Sequence, residues 1–330
     1  GGRLAEILSL ALTNLTSPAV LFFALGVFAG LARSDLAVPD AIAKGLALYL
    51  MLAIGFKGGV SVNEQGFSSD LLLAALAGVG LSFAMPLIAF VLLRAMSKLD
   101  RVTAAASAAH YGSISVVTVV AETEFLQLSG LVASGHMVAV LALMETPAIL
   151  TGLLLAGAGA RAGEDARARA DLLREVALNG SVVLLMGSFV IGIIAGPAGM
   201  TRLDPFVNGL FQGLLALFLL DMGLVAARRM AGARKLGVSG AAFGVIMPPI
   251  GAACALALAL LIGMSAADAA ALMILGGSAS YIAVPAAMRI ALPNADPSVY
   301  LTLSLAITFP FNLAIGIPLY TAVARTIIGG

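Results

Sequence analysis

The chain has 330 residues, of which 61% are hydrophobic and only 11% are charged, and its mean hydropathy is +1.08. So few charges cannot cover the surface of a soluble domain of this length, so the composition indicates a protein that crosses a membrane several times. The net charge of +1 and the lack of a basic stripe argue against a nucleic-acid partner, and the single cysteine, Cys254, excludes an intrachain disulfide.

Ten apolar segments are long enough to cross or nearly cross a bilayer. In chain order they cover residues 17–32, 39–56, 70–94, 102–120, 130–157, 179–197, 206–226, 236–263, 268–290 and 298–325. Two amphipathic pieces, Leu4–Leu15 and Asp171–Leu178, precede the first and sixth segments and are expected to lie along the membrane surface. The sequence thus predicts an all-α membrane protein with a first half at 1–160, a polar linker with an interfacial helix at 161–178, and a second half at 179–330.

The second half repeats the first. The sequence Gly-Ser-Ile-Ser at 112–115 is followed 165 positions later by Gly-Ser-Ala-Ser at 277–280, and the stretch 26–30 is matched by 192–196 at a separation of 166. Because each half has five spans, an odd number, the two copies must insert with opposite orientations. The pattern predicts ten transmembrane helices in two inverted five-helix repeats, which is typical of secondary transporters.

Charge asymmetry predicts that both termini lie outside. With that orientation, the lysines and arginines of the inner loops outnumber those on the outer side by thirteen to four, as the positive-inside rule requires. The inner residues are Arg33, Arg94, Lys98, Arg101, Arg161, Arg167, Arg169, Arg174, Arg228, Arg229, Arg234, Lys235 and Arg289, and the outer ones are Arg3, Lys57, Arg202 and Arg325.

The two Gly-Ser-x-Ser elements predict breaks in the fourth and ninth helices, near Ser113 and Ser278. Glycine permits irregular backbone, and serine caps the new helix start, whose free N–H groups suit a small anion. Small residues also serve close helix packing, but two copies at matching places favour a functional site. The expected substrate-binding residues are Gly112, Ser113, Ser115, Gly277, Ser278, Ser280 and Tyr281.

Buried polar residues in the fifth and tenth spans point to a cation. Glu145 precedes Pro147, and Thr308 and Asn312 flank Pro310, where proline frees backbone carbonyls. Glu145 is interpreted first as a cation ligand or its neighbour, with a proton carrier or a neutral hydrogen-bonding group as alternatives. The candidate Na⁺ ligands are Ser113, Thr118, Glu145, Ser280, Thr308 and Asn312.

Other charged residues are expected to be structural. Asp221 is predicted to pair with Lys57, and Glu122 and Glu124 are predicted to be solvated in an outer loop. His110, Tyr111 and Tyr281 flank the breaks. They are expected either to bond to the backbone groups that a break leaves free or to contact the substrate, and the sequence favours neither role. Phosphate loops, paired-cysteine metal motifs and nucleotide fingerprints are absent from the sequence, which indicates a gradient-driven or passive transporter without a cofactor rather than an enzyme.

Several of these stretches resemble the sodium-dependent bicarbonate transporter family, the SbtA-type permeases, over nearly the whole chain and nearer its proteobacterial branch. The resemblance is most specific at 110–118, 144–148, 292–298 and 316–319. Two positions differ from the cyanobacterial members: Tyr281 replaces an aspartate at the second break, and Glu145 stands where those members have aspartate.

The resemblance implies a gate domain from the first two helices of each half and a core domain from the last three. It also implies a homotrimer in the bacterial inner membrane, an elevator motion of core against gate, and bicarbonate held between the broken helices with Na⁺ nearby as coupling ion. A PII-like regulator is a partner of the family, but the short linker argues against one here.

Three other readings stay open. Helix N-termini recognise charge more than identity, so another small anion such as a short carboxylate fits the same fold. A passive anion channel is disfavoured because the polar groups cluster at two breaks rather than in rings along a pore. An intramembrane hydrolase using Ser113 and His110 is disfavoured because nothing in the sequence orients the histidine as a base.

Overall fold

The structure is a computed structural model that describes residues 9, 12, 14–157, 174, 178, 180–230, 233–281 and 283–329. For residues 145, 181, 182, 233–235, 283, 286, 289 and 290 it describes the backbone alone. All regular secondary structure in this part of the chain is helical, as predicted. The amphipathic pieces Leu4–Leu15 and Asp171–Leu178 and the linker 161–178 lie almost wholly outside the described residues.

Each half contains three helices, then two short helices, then one long helix. The first half consists of α1 Pro18–Leu31, α2 Asp40–Gln65, α3 Ser69–Met96, α4 Arg101–His110, α5 Val116–Leu128 and α6 Met137–Ala156. The second half consists of α7 Gly180–Asp204, α8 Phe211–Arg229, α9 Ala233–Ile262, α10 Ala266–Gly277, α11 Ala283–Ala291 and α12 Pro297–Ile328.

Seven helices of the described part are long and apolar enough to cross a membrane: α2, α3, α6, α8, α12, and the stretches Val183–Gly209 and Leu236–Ile262 that include most of α7 and α9. Helix α1 has 14 residues and α10 has 12, so these two apolar helices are shorter. The predicted fourth and ninth spans are each divided into two helices, α4 with α5 and α10 with α11. The count of ten spans therefore stays a prediction.

Local sequence determines where many helices begin and end. The side chains of Ser17, Ser68 and Asp100 accept hydrogen bonds from backbone N–H groups in the first turns of α1, α3 and α4. Gly157 adopts the left-handed conformation just after α6, and Gly66, with a φ of 81°, follows α2. Capping thus divides an almost uniformly apolar sequence into separate helices.

Helices α1 and α8 cross at very short range through glycines. A Cβ atom on Gly26 would lie 2.1 Å from the carbonyl oxygen of Leu220, and one on Gly223 would lie 2.2 Å from the carbonyl oxygen of Phe23. Only hydrogen fits at these two positions, so the backbones touch. Such contacts hold helices together where lipid removes the hydrophobic driving force for their association.

Helices α2 and α7 cross in the same way. A Cβ on Gly192 would lie 2.3 Å from the carbonyl oxygen of Phe56, and one on Gly59 would lie 1.9 Å from the carbonyl oxygen of Phe189. The contacting positions correspond between the two halves. Positions 23 and 26 of α1 match positions 189 and 192 of α7 at a separation of 166, and positions 56 and 59 of α2 match positions 220 and 223 of α8 at a separation of 164. The two crossings therefore use the same register in the two halves.

The other helices form a second group in which the halves also correspond. Helices α3 and α9 contact each other, and each contains proline: Pro86 in α3, and Pro248 and Pro249 in α9. Helix α4 packs against α3 and α6, whereas α10 packs against α9 and α12. The interrupted helices of both halves thus lie inside one bundle.

The predicted ion pair between Asp221 and Lys57 is wrong. The ammonium of Lys57 lies over the ring of Phe211, 4.0 Å from its centroid, and its acidic neighbours are Glu124 and Asp204. The charged neighbours of Asp221 are instead Arg228 and Asp40. Phe211 begins α8, and Asp221 lies ten residues further along that helix, so about 15 Å of helix separates Asp221 from the place where Lys57 sits.

Candidate functional site at two interrupted helices

The first predicted break is present. Helix α4 ends at His110, residues 111–115 are not helical, and α5 begins at Val116. The Ser115 hydroxyl oxygen caps α5 by accepting a hydrogen bond from the Thr118 N–H at 3.2 Å. Because this bond uses a lone pair, the hydroxyl hydrogen of Ser115 remains available as a donor beside the positive end of the helix dipole.

The second predicted break is also present. Helix α10 ends at Gly277, Ser278 is extended with φ −85° and ψ 162°, and the next helix, α11, begins at Ala283. The Ser278 hydroxyl donates to the carbonyl oxygen of Ile274 one turn earlier. This bond holds the end of α10 and takes the only hydrogen of that hydroxyl, so Ser278 can offer a ligand lone pairs but no O–H donor.

The two breaks are joined by a hydrogen bond. The backbone N–H of Ser280 donates to the carbonyl oxygen of His110 at 2.8 Å, so the second break satisfies the carbonyl at the end of α4. The residues at the junction are almost completely buried: Ser113 is 0% exposed, Ser280 1% and Ser115 3%. Irregular backbone at this depth is tolerated where it lines a site within the protein, which the meeting of two breaks provides.

Several polar atoms around the junction lack a hydrogen-bond partner among the described residues. They include the Ser113 Oγ and the Tyr281 Oη, and the Tyr281 ring brings its hydroxyl next to Ser115 without completing a hydrogen bond. A buried polar group without a partner costs about 1–3 kcal/mol, so such atoms are rare in folded proteins. Two of them at one junction indicate a place where a polar ligand, an ion or water supplies the missing bonds.

The glycine of each break serves close packing. A Cβ on Gly112 would lie 2.4 Å from the ring of Pro86 and 2.6 Å from the Ser82 carbonyl oxygen of α3. A Cβ on Gly277 would lie 2.9 Å from the Pro248 carbonyl oxygen of α9. Ser82 and Pro248 are again separated by 166 positions. Each glycine therefore presses its break against a proline-containing helix, and the serines and Tyr281 supply the polar atoms.

Helix α12 bonds to both breaks. Thr302–Thr308 and Asn312–Gly316 form π-helical turns on either side of Pro310, and π turns are frequent at functional sites. The Thr308 hydroxyl donates to the Gly244 carbonyl at 2.6 Å, so at 2.8 Å it must accept from the Tyr111 hydroxyl. This shared hydroxyl ties α12 to the first break through Tyr111.

Asn312 ties α12 to the second break. Its Nδ2 donates to the Gly277 carbonyl oxygen at 2.8 Å, and its buried Oδ1 has no partner among the described residues. Because the amide nitrogen is fixed by Gly277, the oxygen is held in place as a pure acceptor. The same arrangement includes Tyr320, whose ring edge lies 3.3 Å from the position of a Cβ on Gly277 and whose Oη is also unpartnered in this part of the structure.

The structure brings some of the candidate residues predicted from the sequence to the junction of the two breaks, but not all of them. Ser113, Ser115, Ser280 and Tyr281 lie at the two breaks, and Asn312 contacts the second. Thr308 is already engaged twice, and Thr118 contacts Ser115 through its backbone N–H. The side chain of Glu145, which begins the second segment of α6, lies outside the described residues.

Sequence reasoning missed Tyr320 and misplaced Glu122. Tyr320 stands in an apolar span, where a lone tyrosine gave the only signal. Glu122 was expected in a solvated loop, but it lies within α5, is 1% exposed, and has an Oε1 without a partner among the described residues. That prediction is wrong, and the buried carboxyl needs an explanation of its own.

Comparison with known proteins identifies one family. The sequence model described as the Na⁺-dependent bicarbonate transporter superfamily matches residues 18–325, which is nearly the whole chain. No curated protein matches the chain.

Proposed function

The chain belongs to the Na⁺-dependent bicarbonate transporter superfamily, and from this membership we propose that it is a secondary active transporter that imports bicarbonate together with Na⁺. The observation that carries the proposal is the hydrogen bond between the Ser280 N–H and the His110 carbonyl, because it joins two broken helices at a buried junction with unsatisfied polar atoms. Transporters of this kind bind their substrate where two discontinuous helices meet.

The proposed architecture is a pair of inverted five-helix repeats with ten spans. Its support is the shared register of the two glycine crossings, and the way in which α1 and α2 pair with α8 and α7. In this proposal those four helices form the gate domain, and the other eight form the core that carries the breaks. The core would slide against the gate as an elevator, with the protein assembled as a homotrimer.

The proposed anion site uses hydrogen-bond donors at the two breaks. The first turn of α5 offers N–H groups and the positive end of its dipole, and the neighbouring hydroxyl groups of Ser115 and Tyr281 can add O–H donors. Bicarbonate is a small planar anion that several such donors can bind at once. Another small anion such as a short carboxylate has the same charge and shape, and it is the alternative substrate.

The proposed Na⁺ site uses acceptors near the same junction. The Asn312 Oδ1 and the Ser113 Oγ are buried oxygens without partners among the described residues, and hard cations prefer oxygen ligands. Glu145 would supply the negative charge from α6. A cation beside the anion would lower the cost of burying either charge alone, which couples the two ions in transport.

The proposed setting is the bacterial inner membrane with both termini outside, as the charge asymmetry favours. No cofactor is proposed beyond the coupling ion. The 161–178 linker gives no support to a PII-like regulator, so the lipid bilayer, Na⁺, the anion and further copies of the chain are the proposed partners.

The test is uptake of labelled bicarbonate by proteoliposomes. We expect an inward Na⁺ gradient to drive accumulation, K⁺ in its place to abolish accumulation, and formate or acetate in excess to compete weakly. Accumulation of a carboxylate but not of bicarbonate would support the alternative substrate. Equilibration without accumulation under a Na⁺ gradient would indicate a passive channel and contradict the proposal.

A further inference from the structure

A second polar site lies away from the breaks. A cavity of about 180 Å³ opens between α2, α5 and the segment that leads into α6. Its walls include Glu122 and Thr123 from α5, Ser134 from the segment before α6, and Lys57 from α2. The proposed anion and Na⁺ sites at the breaks do not use this cavity.

The carboxyl group of Glu122 is the unusual feature of the cavity. The side chain is 1% exposed, and its Oε1 has no hydrogen-bond donor among the described residues. The charged group that interacts with it is another carboxylate, Asp268 at the start of α10. Asp268 itself is well satisfied, since Ser134 donates to it from the backbone N–H at 2.6 Å and from the hydroxyl at 2.8 Å. An isolated buried carboxylate is costly, so Glu122 is neutralised either by a bound cation or by a proton.

The neighbouring hydroxyl groups face the cavity as acceptors. The Ser134 hydroxyl has given its hydrogen to Asp268, and the Thr123 hydroxyl has given its hydrogen to the Val119 carbonyl at 2.8 Å. Each oxygen therefore offers only lone pairs to a ligand. Acceptor oxygens next to an unpaired carboxylate suit a cation and repel an anion.

Lys57 does not supply the missing charge. Its ammonium lies over the Phe211 ring, and its acidic partners are Glu124 and Asp204 rather than Glu122. Glu124, which does not line the cavity, also accepts a hydrogen bond from Gln212 at 2.7 Å. The cavity thus has a neutralised end at Lys57 and a negative end at Glu122.

We propose that Glu122, with the hydroxyl oxygens of Thr123 and Ser134, binds a sodium ion that is additional to the one at the breaks. One carboxylate with two neutral hydroxyl oxygens gives the site a single negative charge, which suits a monovalent ion rather than a divalent one. The consequence for transport rests on the proposed Na⁺ coupling, since a second ion would strengthen the driving force. The binding itself does not depend on the substrate.

The test is equilibrium binding of ²²Na⁺ to the purified, detergent-solubilised protein without bicarbonate. We expect Glu122→Gln to bind one sodium ion fewer than the unchanged protein, and Glu122→Asp to keep that ion with affinity lowered about tenfold or more. The matched control is Glu124→Gln, which removes a carboxylate two residues away in the same helix and should keep full binding. Asn312→Ala should lose the ion at the breaks and keep the ion at Glu122.

Two results would overturn the proposal. One is a Glu122→Gln protein with the same elution and thermal stability as the unchanged protein and unaltered sodium binding. The other is unaltered sodium binding with an altered pH dependence of uptake, which would make Glu122 a proton site. A third result separates the two proposals. If Glu122→Gln loses one ion while the unchanged protein fails to transport bicarbonate in proteoliposomes, the proposed function is contradicted and the sodium site is still supported.

Discussion

At the scale of single residues, the junction depends on how each hydroxyl uses its one hydrogen and two lone pairs. Ser115 accepts from the Thr118 N–H and keeps its hydrogen, Ser278 gives its hydrogen to Ile274, and Thr308 gives its hydrogen to Gly244. The first is therefore a donor toward a ligand, whereas the other two are not. Residue type alone does not distinguish these roles, because all three are small hydroxyl residues in apolar sequence.

Ser115→Ala, Ser280→Ala and the double variant test the anion site. A charge-assisted hydrogen bond contributes about 1.5–3 kcal/mol, so losing the Ser115 donor should raise the apparent substrate constant about tenfold or more. The double variant should nearly abolish uptake in proteoliposomes. Ser107→Ala is the matched control, because it removes a fully buried hydroxyl of α4 that bonds only to the Thr103 carbonyl in the described structure. Wild-type kinetics in the double variant would assign these serines to helix packing.

Glu145→Gln tests the source of negative charge for the coupling ion. The change keeps the size of the side chain and removes its charge, so a carboxylate that faces Na⁺ should leave a higher apparent Na⁺ constant, by about tenfold for each 1.4 kcal/mol lost. The measurement is the Na⁺ dependence of uptake, with protein yield and melting temperature as controls for folding. Unchanged Na⁺ activation in well-folded protein would return Glu145 to a packing role.

At the scale of helices, the glycine crossings determine how closely α1 meets α8 and α2 meets α7. Both pairs of backbones come together where a side chain has no space, and both do so in the same register. The sequence showed the glycines of 26–30 and 192–196 as a repeat, but it did not show their partners, because the pairing of helices is decided by tertiary contacts.

Gly59→Leu should break the α2–α7 crossing. Its Cβ would lie 1.9 Å from the Phe189 carbonyl, so the helices must separate and lose the packing along their contact, at a cost of about 1–3 kcal/mol or more. The expected result is a lower melting temperature and low yield in detergent. Gly45→Leu in the same helix is the control, since a Cβ there has open space and should change little. Equal stability of the two variants would contradict the crossing.

Some features of the helices could be predicted from the sequence, and others could not. The breaks near Ser113 and Ser278 were predicted because glycine and serine interrupt apolar sequence twice at matching places. Glu122 was misplaced because hydropathy treats a charge as the end of a span, so the predicted fourth span stopped at 120, whereas α5 continues to Leu128 and packs against α10. The π turns around Pro310 were not predicted either, since sequence patterns do not distinguish a π turn from a kink.

At the scale of the whole molecule, an exposed side-chain bond connects the proposed gate and core. Gln212 of α8 donates to Glu124 of α5 at 2.7 Å, and Lys57 of α2 adds an opposite charge beside the same carboxylate. If the core slides against the gate, these groups must separate in each transport cycle. The contact is exposed, so it can be reached by reagents without disturbing the buried junction.

A Glu124→Cys, Gln212→Cys protein with Cys254→Ala should be trapped by a short bismaleimide cross-linker. Linking the two helices would hold the core in this position, so uptake should fall by about tenfold or more, while each single cysteine treated alike keeps most of its activity. The measurements are bicarbonate uptake before and after linking, and the linked fraction by electrophoresis after proteolysis. Full uptake by fully linked protein would show that α5 and α8 do not move apart.

The hydrogen bond from Ser280 to His110 has a further consequence for selectivity. The two breaks are held together by their own backbone before any ligand arrives, so binding of an anion at the proposed site would cost little ordering entropy. The proposed site would then be preorganised. A preorganised site gains affinity for a ligand of the right size, but it cannot widen for a larger one without losing this bond. Discrimination among anions of equal charge should therefore follow their dimensions rather than their basicity.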